Sequence, residues 1–500
     1  MNSNTNAETR SADRQLRKTL TWRDGVGMSM TIPASLFSTF GYLLGVVNAW
    51  TSIAIWIVGL SIAFLQNKLF AEMAGMFPQD SGGISRYAME GWKRYFAPLG
   101  AVAAFGYWLG WSLSISVAAV LFGELVTATW FPDSGIQFSV FGNDLGLPHI
   151  LAAVAMISAW AINYFGVKLS GQVLKFLGFF LLLGLGLITL ACLVSPNADW
   201  DPARLNWGYA GDWRTIVVVF YATAWSSYGT EIAASFAPEY KNTTRDTARA
   251  LRYSTLVMIV IFFLVPLAVT GSIGEQTIAA NPVTYMVVAL DQSLGGAAWV
   301  GTTIIAISLL VAMISCTADG GRALYGLAQE GMTIKQLDWL NRWGVPGRSL
   351  TIDVVLNVTI MMLVGAPVSI LLASNFGYLV SIILAISAFV LLRKDRPEWP
   401  RPIRLKNHWV WVALALTVVN IGVVAVGFTN PALLGYGGTR ESVVAVCILL
   451  VSVALFAYRR VVQDRLPMDW RVQAAVLPEP EEAAALAVEM ADVATGRKMK

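Results

Sequence analysis

Apolar runs of about twenty residues, separated by short polar connections, dominate the chain. About twelve can be read, beginning near residues 23, 48, 97, 148, 172, 213, 252, 297, 349, 370, 408 and 441. At 1.5 Å of rise per residue such a run crosses the ~30 Å hydrocarbon layer of a bilayer. The pattern therefore predicts an all-α polytopic membrane bundle. Two runs lose their apolar character in the middle: run 1 reads "GVGMSMTIPAS" (25–35), and run 6, five runs later, reads "TAWSSYGTEIA" (223–233). Interrupted helices at matching places of two five-helix halves point to an inverted-repeat transporter with its site at the bilayer midplane. Backbone released from helical bonding inside a membrane has to be buried in protein or to line a wet cavity. The competing reading is a pair of kinked helices in which Pro33 and Gly229 absorb packing strain.

Composition agrees with the pattern, being 56% hydrophobic and 13% charged with a mean hydropathy of +0.60. The expected division is a polar tail (1–22), a first half of five runs (23–195), a second (212–393), a further pair (407–460) and a C-terminal tail (461–500). The first 22 residues have no apolar stretch of their own, so no cleavable leader is expected. If that tail is cytoplasmic and each run spans once, only Arg204, Arg214 and Arg440 of the 35 Lys and Arg lie in or beside outward connections. That asymmetry predicts cytoplasmic termini in a plasma or inner cell membrane. The net charge of +4 follows from it and implies no nucleic-acid partner. Cys192, Cys316 and Cys447 lie in apolar runs without disulfide or zinc spacing and read as packed thiols. His149 and His408 are far apart, and there is no His-Glu-x-x-His, Gly-x-Ser-x-Gly or phosphate loop, which argues against an enzyme or a self-contained ATP-driven pump. The end of the chain, "PEPEEAAALAVEMADVATGRKMK", is expected to be unstructured or loosely helical.

The connections then become specific. "MFPQDSGGISRYAMEGW" (76–92), "APEYKNTTRDTARAL" (237–251), "GGRALYGLAQEGM" (320–332) and "RPEWPRPIRL" (396–405), with "NYFGVKLSG" (163–171) as a fifth, resemble in kind and order the motifs of the amino acid-polyamine-organocation permeases. The resemblance covers residues 20 to 460 and implies ten core helices in two inverted repeats of five, two extra helices, and helices 1 and 6 unwound around the substrate. It implies a secondary transporter of amino acids or related small amines, working by alternating access. No cofactor is expected, and a proton gradient is the first expectation for its energy source, with exchange and Na+ coupling open. An amine or polyamine exchanger of the same fold and a transporter-like solute sensor are the alternatives. By the same resemblance Glu231 occupies an acidic position of helix 6 and Trp225 that of an aromatic gate, while Gly110, Trp111 and Cys316 come toward the site. In this chain Gly25-Val26-Gly27 runs into Met28-Ser29-Met30-Thr31 where relatives continue Ile-Phe, and Thr243 stands where Lys-Asn-Pro would end. Run 5, "LGFFLLLGLG", lacks the lysine some relatives carry there.

A break near 27–31 exposes the first amides of the outer half of run 1, the positive end of a helix dipole and a cradle for a carboxylate. Run 6 presents C-terminal carbonyls around Thr223 to Ser226, which suit an ammonium group. The candidate substrate residues are thus Gly27, Met28, Ser29, Met30, Thr31, Trp225, Ser226, Tyr228 and Gly229, with Ser227 a further hydroxyl and Ser226 to Thr230 the expected hinge. Trp225 and Tyr228 read either as lids or as core aromatics, and the small residues also suit close helix packing. An ionised carboxylate at Glu231 costs about 2.5–3.5 kcal/mol at mid-membrane. It can brace the unwound part of run 1, exchange a proton or pair with a cationic substrate. Glu124 and Asp319 are proton-relay candidates, set against a surface position for Glu124 and pairing with Arg322 for Asp319. Glu72 reads as an anchor at the end of run 2. Ser315 and Thr317 are candidate sodium oxygens, although hydroxyls bonding back into their own helix are commoner. The oligomeric state is not encoded in any visible motif.

Overall fold

The computed structural model describes residues 18–495 apart from 81, 166–170, 197, 200–208, 365–366, 436–438 and 474. Most of the N-terminal tail, the middle of the 163–171 motif and Arg204 lie outside the described residues.

Run 1 forms α1 (Trp22–Ser29), a 3-10 turn (Ile32–Ala34) and α2 (Ser35–Leu44). Run 2 is α3 (Ala49–Met76), followed by an amphipathic helix α4 (Gly83–Phe96). Run 3 is α5 (Pro98–Ser112) and α6 (Ser114–Trp130), offset at Leu113. A hairpin of β1 (Gln137–Val140) and β2 (Asn143–Gly146) leads to α7 (Leu147–Tyr164) and α8 (Gly171–Leu193). Run 6 is α9 (Trp213–Tyr228) continued by a 3-10 segment (Gly229–Glu239). Then come α10 (Thr243–Ile273), the short α11 (Glu275–Ala280) and α12 (Tyr285–Leu294), α13 (Ala298–Gln329), α14 (Gly347–Val364) and α15 (Pro367–Asp395). The chain closes with α16 (Trp409–Thr429), α17 (Thr439–Tyr458) and α18 (Pro480–Thr495).

Among the described residues nine helices are long and apolar enough to cross a membrane. Runs 1, 5 and 6 complete the expected twelve. Runs 1 and 6 fall outside the nine because 3-10 segments divide them, and in run 5 only Leu182–Leu193 counts as a shorter apolar helix. The molecule is an all-α polytopic membrane protein; among the described residues its one sheet is the hairpin, which the apolar pattern does not predict. The hairpin turns through Phe141 and Gly142, both at positive φ (53° and 81°), a tight turn matched to strand twist. Asn143 Nδ2 donates to the carbonyls of Met362 and Leu363 (2.9 and 2.7 Å) and so closes the end of α14.

The first break falls at the end of the expected 27–31 stretch, and the second begins three residues later than expected. α1 stays helical through Ser29, and the interruption falls at Met30 and Thr31. Pro33, which has no N–H and fixed φ, prevents an unbroken helix there, and the Thr31 hydroxyl takes the Met28 carbonyl at 3.1 Å. α9 remains helical through Tyr228, so Ser226 and Ser227 belong to its last turn and the hinge begins at Gly229. Eleven residues of 3-10 helix follow, far more than the three or four usual for that geometry. The tail-side ends of the two broken runs are joined, since Leu20 N donates to Glu239 O (2.9 Å) and Lys241 N to Leu20 O (2.8 Å). The described part of the C-terminal stretch is helical, as α18, and seated. Glu489 of α18 accepts the Thr244 amide at the start of α10 (3.0 Å) and pairs with Lys18 (3.5 Å).

Glu72 is fully buried, and Arg393 grips it with two donors at 3.0 and 2.6 Å. Arg401 lies at 3.3 Å and the Leu405 amide donates at 2.8 Å, so the expected anchor ties run 2 to the connection after run 10. Glu90 on α4 pairs with Arg396 at 2.6 Å and Lys93 at 2.7 Å. Burial alone would raise the Glu90 pKa; Arg86, Lys93 and Arg396 instead hold it below its ordinary value of 4.5.

Glu72→Ala leaves two guanidinium groups without their buried partner and should lower unfolding stability in detergent by about 3–5 kcal/mol; a thermal unfolding midpoint equal to wild type would refute the anchor. Because the folded-state pKa of Glu90 is depressed, its contribution is complete above pH 4.5 and is lost as pH falls below that value. Glu90→Gln should therefore flatten the acid side of the stability profile, and an identical profile in the variant would remove this assignment.

Candidate functional site

A cavity of about 450 Å³, counting its open mouth, lies where the break of run 1, the offset of run 3, the end of α9 and the middle of α13 meet. Thr31, Trp111, Trp225 and Cys316, four of the sequence candidates, are in its wall. The two indoles meet edge to face, 6.2 Å apart at 86°. Asn375 of α15 holds the last turn of α9 in place: its Oδ1 accepts the Trp225 amide (3.2 Å) and its Nδ2 donates to Ala222 O (2.8 Å). Gly229 packs closely here: a Cβ there would stand 3.2 Å from Ile32 Cδ1 and 3.4 Å from Trp111, so the end of the Ile32 side chain would have to shift slightly.

Other candidates sit elsewhere. Gly27 is exposed with open space before it, Ser29 is buried and returns its hydroxyl to Gly25 O (3.2 Å), and Met30 packs in the core. Neither these three nor Met28 is in the cavity wall. Gly110 faces Tyr378, whose Cβ would lie 2.7 Å from a Cβ at that position, so its role is helix packing. Ser226 donates to Thr223 O (2.8 Å) and accepts from Trp56 Nε1 (3.4 Å). Tyr228 packs against Phe220, 6.1 Å between centroids, and neighbours Gln66 of α3 instead of closing the cavity. The Thr223 and Trp225 carbonyls already accept bonds from Ser226 Oγ and Gly229 N.

Glu231 is fully buried. Its Oε1 accepts from the Tyr378 hydroxyl at 2.8 Å, Tyr107 and Trp111 lie close to it, and Tyr107 stacks on Tyr378 at 6.1 Å. Among the described residues Oε2 has no hydrogen-bond partner and no bond reaches run 1. The expected brace to run 1 is therefore replaced by one to runs 3 and 10. Glu124 is half-buried one turn beyond Leu121 on α6 and outside the wall. Asp319 carries an exposed side chain on α13 within the electrostatic reach of Arg322 and Glu239. Ser315 and Thr317 flank Cys316 without entering the wall; Thr317 is buried, and its Oγ1 has no hydrogen-bond partner among the described residues.

A second buried network was missed in the sequence. Asp353 Oδ1 accepts from Ser112 Oγ (2.6 Å), Asn357 Nδ2 donates to the same hydroxyl (2.9 Å), and Ser116 Oγ donates to Asn357 Oδ1 (2.6 Å). Trp108 Nε1 completes the junction with Gly320 O at 3.1 Å. These bonds fix the offset of run 3 to α14 and α13, directly behind Trp111 and Ser114. The legible signal was the spacing of four in both Ser112/Ser116 and Asp353/Asn357, which puts each pair on one helix face.

Residues 20–453 match the family model described as "Amino acid permease". The amino-acid permease RocE of Bacillus subtilis is 24% identical over 68% of this chain and 72% of its own length. The lysine-specific permease LysP of Escherichia coli is 24% identical over 59% of this chain and 60% of its own length. The D-serine/D-alanine/glycine transporter of Escherichia coli is 22% identical over 82% of this chain and 88% of its own length. With a match across nearly all of its membrane-spanning sequence, the chain belongs to the amino acid permease family of the amino acid-polyamine-organocation superfamily.

Proposed function

We propose that the protein is a secondary transporter that carries an amino acid or a related small amine through a cell membrane by alternating access. The observation that carries this reading is the cavity at the junction of the two broken runs, walled by Thr31, Trp111, Trp225 and Cys316. The substrate carboxylate meets the first amides of the 3-10 turn Ile32–Ala34, and its ammonium group meets the carbonyl end of α9. Trp225 closes over the substrate, with Trp111 at right angles to it. The two halves, 23–195 and 212–393, rock about this fixed point, and the face carrying Leu20 and α18 is cytoplasmic. Glu231, held by Tyr378, takes part in coupling to a proton gradient.

Purified protein in proteoliposomes should accumulate a labelled amino acid when an inward proton gradient is imposed, and should lose the accumulation on addition of a protonophore. Accumulation that follows Na+ instead would move coupling toward Ser315 and Thr317, and absence of uptake or counterflow for every amino acid and amine tried would end the transporter reading. Glu231→Gln keeps an oxygen for Tyr378 and should fold, while gradient-driven uptake falls about tenfold or more; undiminished uptake would remove any required charge or proton role.

Trp225→Ala should weaken substrate affinity about tenfold, the order expected for one aromatic contact. An unchanged affinity and rate would show that the ring is not a lid.

A further inference from the structure

We infer, resting on the transporter reading above, that the substrate is an amino acid with an uncharged and mainly apolar side chain, not a cationic amino acid or a polyamine. Among the described residues no charged side chain is in the cavity wall. The polar groups of its wall residues are few: the hydroxyls of Thr31 and Ser35 at the break of run 1 and of Ser114 at the offset of run 3, the two indole N–H groups and the Cys316 thiol. The break of run 1 is the end at which the transporter reading places the substrate carboxylate. The rest of the wall that a side chain would meet consists of aliphatic groups such as Val117, Leu121, Leu309 and Ala312 and of the two indoles. A second ammonium or a guanidinium placed there would give up its water for groups that return almost no hydrogen bonds, which is unfavourable for a full charge.

The carboxylates of Glu231, Asp353, Asp319 and Glu124 are not in the cavity wall. Glu231 accepts from Tyr378 and is closed in by Tyr107 and Trp111. Asp353 accepts from Ser112, and its other oxygen lies against Gly320. Asp319 is one turn along α13 from Cys316 and feels the charge of Arg322, and Glu124 stands beyond Leu121. The indoles do attract cations, but they meet edge to face, so the edge of one ring takes up part of the other's face.

Cys316 gives a direct reading of occupancy, because it is in the wall while Cys192 is buried elsewhere and Cys447 is exposed on α17. In Cys192→Ala/Cys447→Ala protein, saturating leucine or phenylalanine should slow labelling of Cys316 by N-ethylmaleimide at least fivefold, and arginine, lysine and putrescine should leave the rate unchanged. Protection by the cationic compounds would overturn the assigned side-chain class while leaving an amine transporter standing. Labelling that proceeds unslowed by all five compounds would overturn both the class and the cavity as the binding site. Wild-type proteoliposomes give a second measurement that does not depend on the cysteine variants folding. Labelled leucine uptake should be competed by phenylalanine and not by a hundredfold excess of arginine, and competition by arginine would refute the proposal.

Discussion

A helix that breaks inside a bilayer must hand its released backbone groups and lost contacts to other parts of the protein, since no water is present to take them. Most of what surrounds the cavity answers to that requirement. The Thr31 hydroxyl takes a carbonyl released at the first break, and Asn375 straps the last turn of α9 just before the second. Gly229 brings the second break against Ile32 and Trp111, so the interruptions shield one another. The cavity is the space left between two such repairs, which explains why it opens there and why its wall comes from runs distant in sequence.

Buried polar groups around it are arranged to keep helices in register more than to face the cavity. Glu231 with Tyr378, and Ser112 and Ser116 with Asp353 and Asn357, join helices that have no short connection between them. In an apolar surround each bond is costly to leave unmade, so a small set of them specifies one packing out of many that apolar side chains alone would allow. The glycines at 110 and 320 serve the same end by admitting Tyr378 and Asp353 to close range.

The transmembrane runs were legible because the solvent is apolar and the helix rise is fixed; counting apolar residues is then enough. The breaks were legible to within a few residues because Pro33 and Gly229 change what the backbone can do locally. The directions of individual side chains were not. A helix turns 100° per residue, so moving the hinge of run 6 from Ser226 to Gly229 carries Ser226 and Tyr228 toward α3, and keeping α1 helical through Ser29 returns that hydroxyl to Gly25. Glu231 was conspicuous as a charge in an apolar run, yet its partner lies 147 residues further on and nothing local announces it. Asp353 escaped notice because it sits near the start of its run, where a carboxylate looks like part of the preceding polar connection.

The grip on Glu72 has a bearing on how the chain is made. Its donors, Arg393 and the Leu405 amide, stand 321 and 333 residues after it. When run 2 enters the membrane during synthesis, this carboxylate has none of the groups that will neutralise it, and most of the protein must be translated before they emerge. Closure of that side of the bundle is thereby placed late in biogenesis, after both interrupted helices are in the bilayer, and the unfinished first half has a chemical mark by which it differs from the assembled protein.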